Sequence, residues 1–367
     1  QYLNNDGWQM ETYPENDWYN MPVRIERSQD GQPVEISVQM DGYDIHAQVW
    51  LAEVGLTRLY LLDTNIPKNP PHLRNITHRL YGGDRERRMQ QELLLGIGGV
   101  RALKTLGIQP TVYHMNEGHS AFLVLERFRE AMKEKTLSFE EARELIWASS
   151  VFTTHTPVPA GNERFSLDLM TKYVKPLVDD LGLDWHSFLA LGKVNPHDKE
   201  ETFCMTVLAL KLSSLNNGVA KIHGRVSREM WKGMWPDLPV SEVPIRSITN
   251  GIHTPTWISH DLRELLASYL GPSLQERPWD LKVWDAAERI PDIEFWRTHQ
   301  RRRERLVFFA RKRLRQQFER QGLRSEAVER AEGIMNPHAL TLGFARRFAT
   351  YKRGNLLFTD PDRLYRL

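Results

Sequence analysis

Strand-like and helix-like segments alternate along the first part of this chain, and this alternation limits the folds that it can adopt. An apolar strand pattern at residues 110–116 is followed by a helical pattern at 117–132. A second helix is predicted to begin at Ser138, because Glu141 stands three residues later as in a capping box. A strand pattern at 151–161 then runs into a loop. Strands that alternate with helices indicate an α/β protein with a largely parallel sheet.

The remaining segments extend this pattern and suggest a division into domains. We predict strands at 34–40, 45–54 and 57–65, a helix at 84–106, and a helical stretch at 198–236 with a polar break at 213–218. The segment 255–335 is mostly helical in pattern, and an apolar run at 339–344 predicts a new strand. These features predict an N-terminal α/β domain at 1–250, a helical connection at 251–336 and the start of a second α/β domain at 337–367.

Charge and cysteine content exclude several classes of protein. The 367 residues carry 49 Lys and Arg against 47 Asp and Glu, a net charge of +2, so a nucleic-acid-binding role is poorly supported. Cys204 is the single cysteine, which rules out an internal disulfide and suits a reducing compartment. The sequence has no apolar run near the roughly 20 residues of a membrane helix. We therefore expect a cytoplasmic protein that does not bind membranes.

The most basic segment, residues 300–322, has two interpretations. It is either a helix that binds nucleic acid or a membrane, or an amphipathic helix with a solvated cationic face. Apolar residues at three-to-four spacing favour the amphipathic helix, since they can form one packed stripe. These residues are Leu306, Phe309, Ala310, Leu314 and Phe318.

Polar residues follow the predicted strand at 110–116. Asn116, Glu117 and His119 would lie at its carboxyl end, where open α/β sheets bind their ligands. Their side chains can form hydrogen bonds with a polyhydroxylated ligand. The alternative is helix capping by Asn116, with Glu117 favourable at the helix N-terminus. A metal site is disfavoured because His114 and His119 are five residues apart and would not share a helix face.

Two further loops carry candidate ligand contacts. His155 stands between two threonines, ahead of two prolines that stiffen the loop, and it either contacts a ligand or satisfies backbone groups. Asn250 belongs to an Asn-Gly turn at the predicted domain boundary. It lies either in a hinge turn or in an interdomain cleft, where ligand sites are common. Nothing in residues 214–226, which include His223, requires a chemical role.

A dense group of cations lies near the end of the sequence. Arg346, Arg347, Lys352 and Arg353 fall within the segment GFARRFATYKRG. Guanidinium groups bind phosphate oxygens in pairs and lysine adds a point charge, so we favour a phosphate site over a solvated basic turn. The nucleotide-binding patterns G-x-x-x-x-G-K-[ST] and G-x-G-x-x-G after a strand are both missing from the sequence.

Taken in order, these motifs resemble those of the α-glucan phosphorylases, especially the shorter bacterial and archaeal type. The matching segments are DTNIPKNPPHLRNITHRLYGGD, QQELLLGIGGVRAL, NEGHSAF, VFTTHTPVPAGNERF, SITNGIHTPTW and GFARRFATYKR. The resemblance implies the GT-B fold, with two Rossmann-like domains facing a cleft. It also implies phosphorolysis of glycogen or maltodextrin at non-reducing ends, giving glucose 1-phosphate with retention, and pyridoxal 5'-phosphate as cofactor.

The resemblance also implies roles for individual residues and for partners. The substrates would be α-1,4-glucan and inorganic phosphate, and a homodimer is possible. No metal is implied. The implied contacts are Arg347 and Lys352 with the substrate phosphate, Arg346 near the cofactor phosphate, His155 and Asn250 with the glucosyl unit, and Asn116, Glu117 and His119 along the glucan path.

This sequence departs from the family pattern in ways that leave alternatives open. Many long members have Lys-Arg in place of Arg346-Arg347, and Asp-Thr in place of Glu117-Gly118. A Gly-rich loop and the lysine that forms the cofactor Schiff base are expected before residue 1 and after residue 367. We therefore expect a fragment that is inactive by itself. The alternatives are a GT-B glucan synthase that uses a sugar nucleotide, and an inactive glucan-binding remnant.

Overall fold

The structure is a computed structural model that describes residues 2–4, 6–13, 16–79, 83–323, 325–346 and 350–366. It divides into two compact units, Pro14–Asn250 and a second unit that combines Gln1–Tyr13 with Gly251–Leu367. The larger unit holds most of the predicted ligand contacts.

The described strands mostly belong to the larger unit. They are β1 (Tyr2–Leu3), β2 (Gln9–Met10), β3 (Val23–Ile25), β4 (Glu35–Met40), β5 (Tyr43–Val54), β6 (Thr57–Asp63), β7 (Tyr113–Asn116), β8 (Ser150–Thr154), β9 (Arg164–Phe165), β10 (Phe203–Cys204), β11 (Leu215–Gly218) and β12 (Arg246–Ser247). Of these, β1 and β2 form a small antiparallel pair in the second unit.

Helices separate the strands of the larger unit and dominate the second unit. They are α1 (Arg85–Leu93), α2 (Gly99–Thr105), α3 (Leu123–Arg129), α4 (Phe139–Ala148), α5 (Leu167–Tyr173), α6 (Lys175–Asp180), α7 (Trp185–Leu191), α8 (Met205–Lys211), α9 (Lys221–Trp231), α10 (Thr254–Trp257), α11 (His260–Leu270), α12 (Ser273–Glu276), α13 (Leu281–Trp284), α14 (Asp292–Arg320), α15 (Ser325–Gly333) and α16 (Pro361–Arg366).

A parallel sheet organises the larger unit. Its order is β12-β11-β8-β7, and all three strand pairs are parallel. The predicted α/β class with a parallel sheet is confirmed. Since every strand runs in the same direction, the four carboxyl ends lie along one edge. The strands β3, β4 and β6 each pair antiparallel with β5 and form a separate sheet in the same unit.

Sequence-local features account for several of these elements. The Ser138 hydroxyl accepts from the N–H of Glu141, and the Glu141 carboxylate accepts from the N–H of Ser138, so the predicted capping box is present. The predicted helix at 84–106 is continuous from α1 to α2, with a π-helical turn at Leu94–Gly98. Packing between distant residues adds to these local features in the core of the larger unit, where the ring of Phe203 stacks on Phe122 and on Phe188, with centroids 6.3 and 5.8 Å apart.

The predicted break in the helical stretch at 213–218 is confirmed, since α8 ends at Lys211 and α9 begins at Lys221. The break contains the strand β11, which the sequence analysis did not predict. The strand lies between β8 and β12, and Asn216 and Asn217 are buried within it.

Asn217 can be buried because its side-chain oxygen accepts from the Thr153 hydroxyl at 2.9 Å and its side-chain nitrogen donates to the Gly218 carbonyl at 3.3 Å. The side-chain nitrogen of Asn216 donates to the Ser213 carbonyl at 3.3 Å, whereas its side-chain oxygen has no partner among the described residues. Buried polar groups with such partners avoid the penalty of desolvation.

In the second unit, the strand predicted at 339–344 is not formed, since these residues follow α15 without regular structure. A strand needs a neighbour for its backbone hydrogen bonds, and β1 and β2 pair only with each other among the described residues. The second α/β domain proposed to begin at 337 therefore stays a prediction, as do the other two domain boundaries.

The predicted amphipathic helix at 300–322 belongs to α14, which ends at Arg320, but its buried stripe is shifted. Val307 is buried, whereas Leu306 and Phe309 are exposed. Arginines share the packed face: Arg311 donates to the Ile334 carbonyl at 2.8 Å. Their aliphatic stems pack while their guanidinium groups bond to backbone carbonyls, which the apolar spacing alone does not predict.

Candidate functional site

The carboxyl ends of the parallel strands bring together residues from three predicted motifs. Asn116 is the last residue of β7, His155 directly follows β8, and Asn250 comes three residues after β12. The N–H of Asn250 donates at 3.1 Å to the carbonyl of Val219, which directly follows β11. The side chains of Asn116, His155 and Asn250 are exposed, so a ligand at this edge can reach all three strand ends.

Glu117 fastens the end of β7 to the loop after β8. Its Oε1 accepts from the backbone N–H of His155, from the Thr156 hydroxyl at 3.2 Å and from the Thr154 hydroxyl at 3.5 Å. Its own N–H donates to the Thr153 carbonyl at 2.9 Å, which extends the strand pairing by one residue. The carboxylate therefore holds the backbone that carries His155.

The backbone of Glu117 lies in a region that favours glycine, with φ 65° and ψ 174°. The next residue explains this turn. A Cβ on Gly118 would lie 3.0 Å from the Met205 Cβ and 3.1 Å from the Thr206 nitrogen at the start of α8. The chain has to bend sharply to bring Gly118 against α8, and Glu117 takes the strained conformation.

A polar network joins three neighbouring strands of the sheet through the buried residues Thr153 and Asn217 and the exposed residue His114. The Thr153 hydroxyl donates to the Asn217 side chain at 2.9 Å, and the His114 Nε2 lies 2.7 Å from the same hydroxyl. One hydroxyl has one proton, so His114 is the donor in the second bond. His114 thereby links β7 to β8 and, through Thr153, to β11, so its side chain has a structural role in the sheet.

His119, the third polar residue after β7, belongs to a charged cluster with α1. Its Nδ1 lies 3.1 Å from Arg88 Nη2 and 3.3 Å from Glu92 Oε1. Arg88 pairs with Glu92 at 2.8 Å and reaches Glu163, on the loop after His155, at 3.4 Å. The cluster joins residues that are up to 75 positions apart in the sequence.

Glu92 is the most buried member of the cluster. Burial raises the pKa of its carboxyl, and this effect outweighs the hydrogen bond from His119 and the charge of Arg88, which both lower it. Its Oε2 has no hydrogen-bond partner among the residues that the structure describes. Glu92, Arg88 and His119 line one part of a cavity of about 640 Å³ whose other walls are mainly apolar.

Arg88, Glu92 and Glu163 were not predicted as site residues. A carboxylate that directly precedes three leucines in a helix, as Glu92 does, is a sequence signal for a buried functional or structural charge. The partners of that charge are distant in sequence, so only the structure identifies them.

Arg346 and Lys352, two of the cations predicted to bind phosphate groups, lie in the described part of the second unit. Arg346 is exposed, and its Nη1 donates to the carbonyl of the preceding Ala345 at 3.1 Å. Lys352 lies in the helical turn Thr350–Lys352, with its Nζ 4.8 Å from the ring centroid of Tyr351. Arg347 lies outside the described residues.

The described residues contain neither a candidate metal site nor a candidate membrane span. No group of three or more His, Cys, Asp and Glu side chains is placed to hold a metal ion. Within the same residues, no helix has both the length and the apolar character required to cross a membrane.

The sheet and its polar edge define an α/β protein with a candidate ligand site at the carboxyl ends of parallel strands. Comparison with known families gives a closer assignment. A family model described as carbohydrate phosphorylase matches residues 100–332, which is more than half of the chain. The chain belongs to the carbohydrate phosphorylase family.

Curated relatives match the whole chain. A maltodextrin phosphorylase of Thermococcus litoralis is 37% identical over 367 residues, which are 100% of this chain and 43% of the relative. A glycogen phosphorylase of Mycobacterium tuberculosis is 41% identical over 379 residues, which again cover 100% of this chain and 43% of the relative. A glycogen phosphorylase of Aquifex aeolicus is 36% identical, and 52% of it is covered. The chain thus spans about half the length of the curated relatives it matches.

Proposed function

We propose that the whole protein is an α-glucan phosphorylase that transfers terminal glucosyl units of glycogen or maltodextrin to inorganic phosphate. The product is glucose 1-phosphate, formed with retention. Family membership and the names of the three relatives support this proposal. The structural observation that carries it is the convergence of exposed amide and imidazole groups at the carboxyl edge of the parallel sheet.

The proposed contacts of the sugar follow from this geometry. His155 and Asn250 bind the glucosyl unit, since their exposed side chains donate and accept hydrogen bonds as sugar hydroxyls require. Asn116, Glu117 and His119 line the glucan path. Within that group, Glu117 acts by holding the His155 backbone through its carboxylate.

The proposed phosphate contacts come from the second unit. Arg347 and Lys352 bind the substrate phosphate, and Arg346 lies near the phosphate of pyridoxal 5'-phosphate. Such cations offset the repulsion between two phosphates and stabilise the charge that develops during transfer. The described residues do not assemble a pocket that fits the cofactor, because Arg346 is exposed and bonded to its own neighbour.

The architecture of the whole protein is proposed from the same family. Two Rossmann-like domains face a cleft, with boundaries at 1–250, 251–336 and 337–367, and two copies form a homodimer. The protein is cytoplasmic.

Two experiments test the function. With the whole protein, maltodextrin and phosphate should yield glucose 1-phosphate, and omission of phosphate should abolish it. Glucan elongation from a sugar nucleotide without any phosphate-dependent release would refute the proposal. With the chain of 367 residues, isothermal calorimetry should detect binding of maltoheptaose but not of the β-linked cellohexaose.

Variants of the chain localise this binding. His155→Ala and Asn250→Ala should each weaken maltoheptaose binding by about tenfold, equivalent to about 1.4 kcal/mol. His186→Ala is the matched control, since His186 is an exposed histidine on α7. Equal affinities in all three variants would place the glucan elsewhere.

A further inference from the structure

His223, on the first turn of α9, bonds to the backbone of two loops at the sheet edge. Its Nδ1 lies 3.1 Å from the backbone nitrogen of Val219, and its Nε2 lies 3.2 Å from the carbonyl oxygen of Thr156. A backbone N–H can only donate and a carbonyl can only accept. Both bonds therefore form only in the neutral imidazole with its proton on Nε2.

These two contacts lie beside the proposed glucosyl contacts. Thr156 is the residue after His155, and Val219 directly follows β11. The carbonyl of Val219 accepts from the N–H of Asn250 at 3.1 Å. One imidazole is thus bonded to the ends of two strands, and through Val219 it is connected to the end of β12.

Two glycines permit this arrangement. A Cβ on Gly218 would lie 2.8 Å from the Nδ1 of His223, and a Cβ on Gly224 would lie 2.8 Å from the Cβ of Ser247 on β12. These positions require glycine because α9 approaches the strand ends too closely for any side chain. The close approach is what brings the imidazole within reach of both loops.

We propose that His223 is a positioning residue of the sugar site, which fixes the backbones of Val219 and Thr156 and so orients His155 and Asn250. The proposal rests on the proposed function, because it assigns the orientation to a glucosyl unit. His223 acts through the two backbone groups and takes no part in bond making or breaking. A purely structural role would affect stability and leave the transfer step unchanged.

Three variants and a control separate these roles. His223→Ala removes both bonds. His223→Asn retains an oxygen near the position of Nδ1, and His223→Gln retains an amide that reaches toward Thr156. Ile222→Ala is the matched control, because Ile222 is the preceding residue on α9 and its side chain is 70% exposed.

Two measurements on the chain of 367 residues test the contacts themselves. The ¹⁵N shifts of labelled histidine should show His223 as the Nε2–H tautomer. Amide exchange at Val219 should accelerate by at least about tenfold in His223→Ala and be partly restored in His223→Asn, since exchange reports local opening. The Nδ1–H tautomer, or unchanged exchange at Val219, would overturn the proposal.

The whole protein tests the effect on the reaction. In His223→Ala, kcat for phosphorolysis should fall by about tenfold to a hundredfold, the loss expected for a misplacement near 1 Å. KM should change by less than about threefold, and His223→Asn should recover part of the rate. An unchanged kcat alongside accelerated exchange at Val219 would leave only a structural role and overturn the proposal.

Failure of the proposed function has a different signature. If the unaltered protein shows no phosphorolysis, the proposed function is rejected whatever the variants do. The affinity of the 367-residue chain for maltoheptaose then tests the proposed positioning role of His223. A loss of about tenfold in His223→Ala but not in Ile222→Ala would support positioning of a glucan site, and equal affinities would overturn it.

Discussion

Replacement of Glu117 tests whether the end of β7 stores backbone strain to hold the His155 loop. Glu117→Ala and Glu117→Gly both remove the carboxylate that accepts from the N–H of His155. They differ in the backbone, because only glycine adopts φ 65° with ψ 174° without strain. The difference between the two variants therefore isolates the strain from the hydrogen bonds.

The magnitudes follow from the contacts. Loss of a hydrogen bond to a charged group costs about 1.5–3 kcal/mol, which sets the expected destabilisation in Glu117→Ala. The two threonine hydroxyls contribute less, since at 3.2 and 3.5 Å their bonds are long and they can rotate toward other acceptors. Glycine at position 117 relieves about 1–3 kcal/mol of backbone strain that alanine retains. Glycine also makes the unfolded chain more flexible, which costs about 0.5–1 kcal/mol of stability relative to alanine. Glu117→Gly should therefore be roughly 1 kcal/mol more stable than Glu117→Ala.

Urea denaturation followed by circular dichroism measures these differences, with midpoints compared at equal slope. Asn116 supplies the matched control, because it is the last residue of β7. The variant Asn116→Gly should be less stable than Asn116→Ala by about 0.5–1 kcal/mol, as expected in an ordinary strand. The reasoning would be refuted if Glu117→Gly were no more stable than Glu117→Ala.

Two further predictions concern α1, the π-helical turn and α2. Gly96→Ala would place a Cβ 2.6 Å from the nitrogen of Leu123 and should destabilise the fold by about 1–3 kcal/mol. A Cβ on Gly99 meets nothing within 4 Å, so Gly99→Ala should stabilise the fold by up to about 1 kcal/mol. Equal urea midpoints for the two variants would contradict this packing. Because the pKa of Glu92 is raised in the folded state, its protonated form stabilises the fold below the pKa of an exposed glutamate, about 4.3, and this contribution is lost as pH rises through the raised pKa. Glu92→Gln should therefore gain stability relative to the unaltered chain as pH rises from 4 to 8, and a constant difference across that range would show that the carboxyl is not destabilised by burial.

The sequence predicted the features that depend on neighbouring residues. The capping box at Ser138 forms because its two partners are three residues apart, and the strand patterns at β4, β5, β7 and β8 follow from side chains that alternate or lie in apolar runs. The placement of Asn116 and His155 at one edge also follows from the sequence, because each comes at or after the end of a predicted strand and parallel strands end on the same side. Asn250 was predicted only in a turn at the domain boundary, and the strand β12 that brings it to this edge is seen only in the structure.

Partners far apart in the sequence were decided only by the tertiary structure. Arg88 and Glu163 are 75 positions apart, and nothing near either residue indicates the other. The strand β11 has two asparagines in its buried positions, which a pattern of hydropathy assigns to a loop. It is a strand because β8 and β12 satisfy its backbone, and because Thr153 satisfies Asn217.

The role of His223 shows the same division in a single residue. The sequence places a histidine on a helix and gives no reason to assign it a function. The approach of α9 to the strand ends, made possible by Gly218 and Gly224, brings its two nitrogens to backbone groups of separate loops. Local chemistry thus determined which groups this protein has available, and long-range packing determined which of them meet, because a hydrogen bond depends on distance in space and not on separation along the chain.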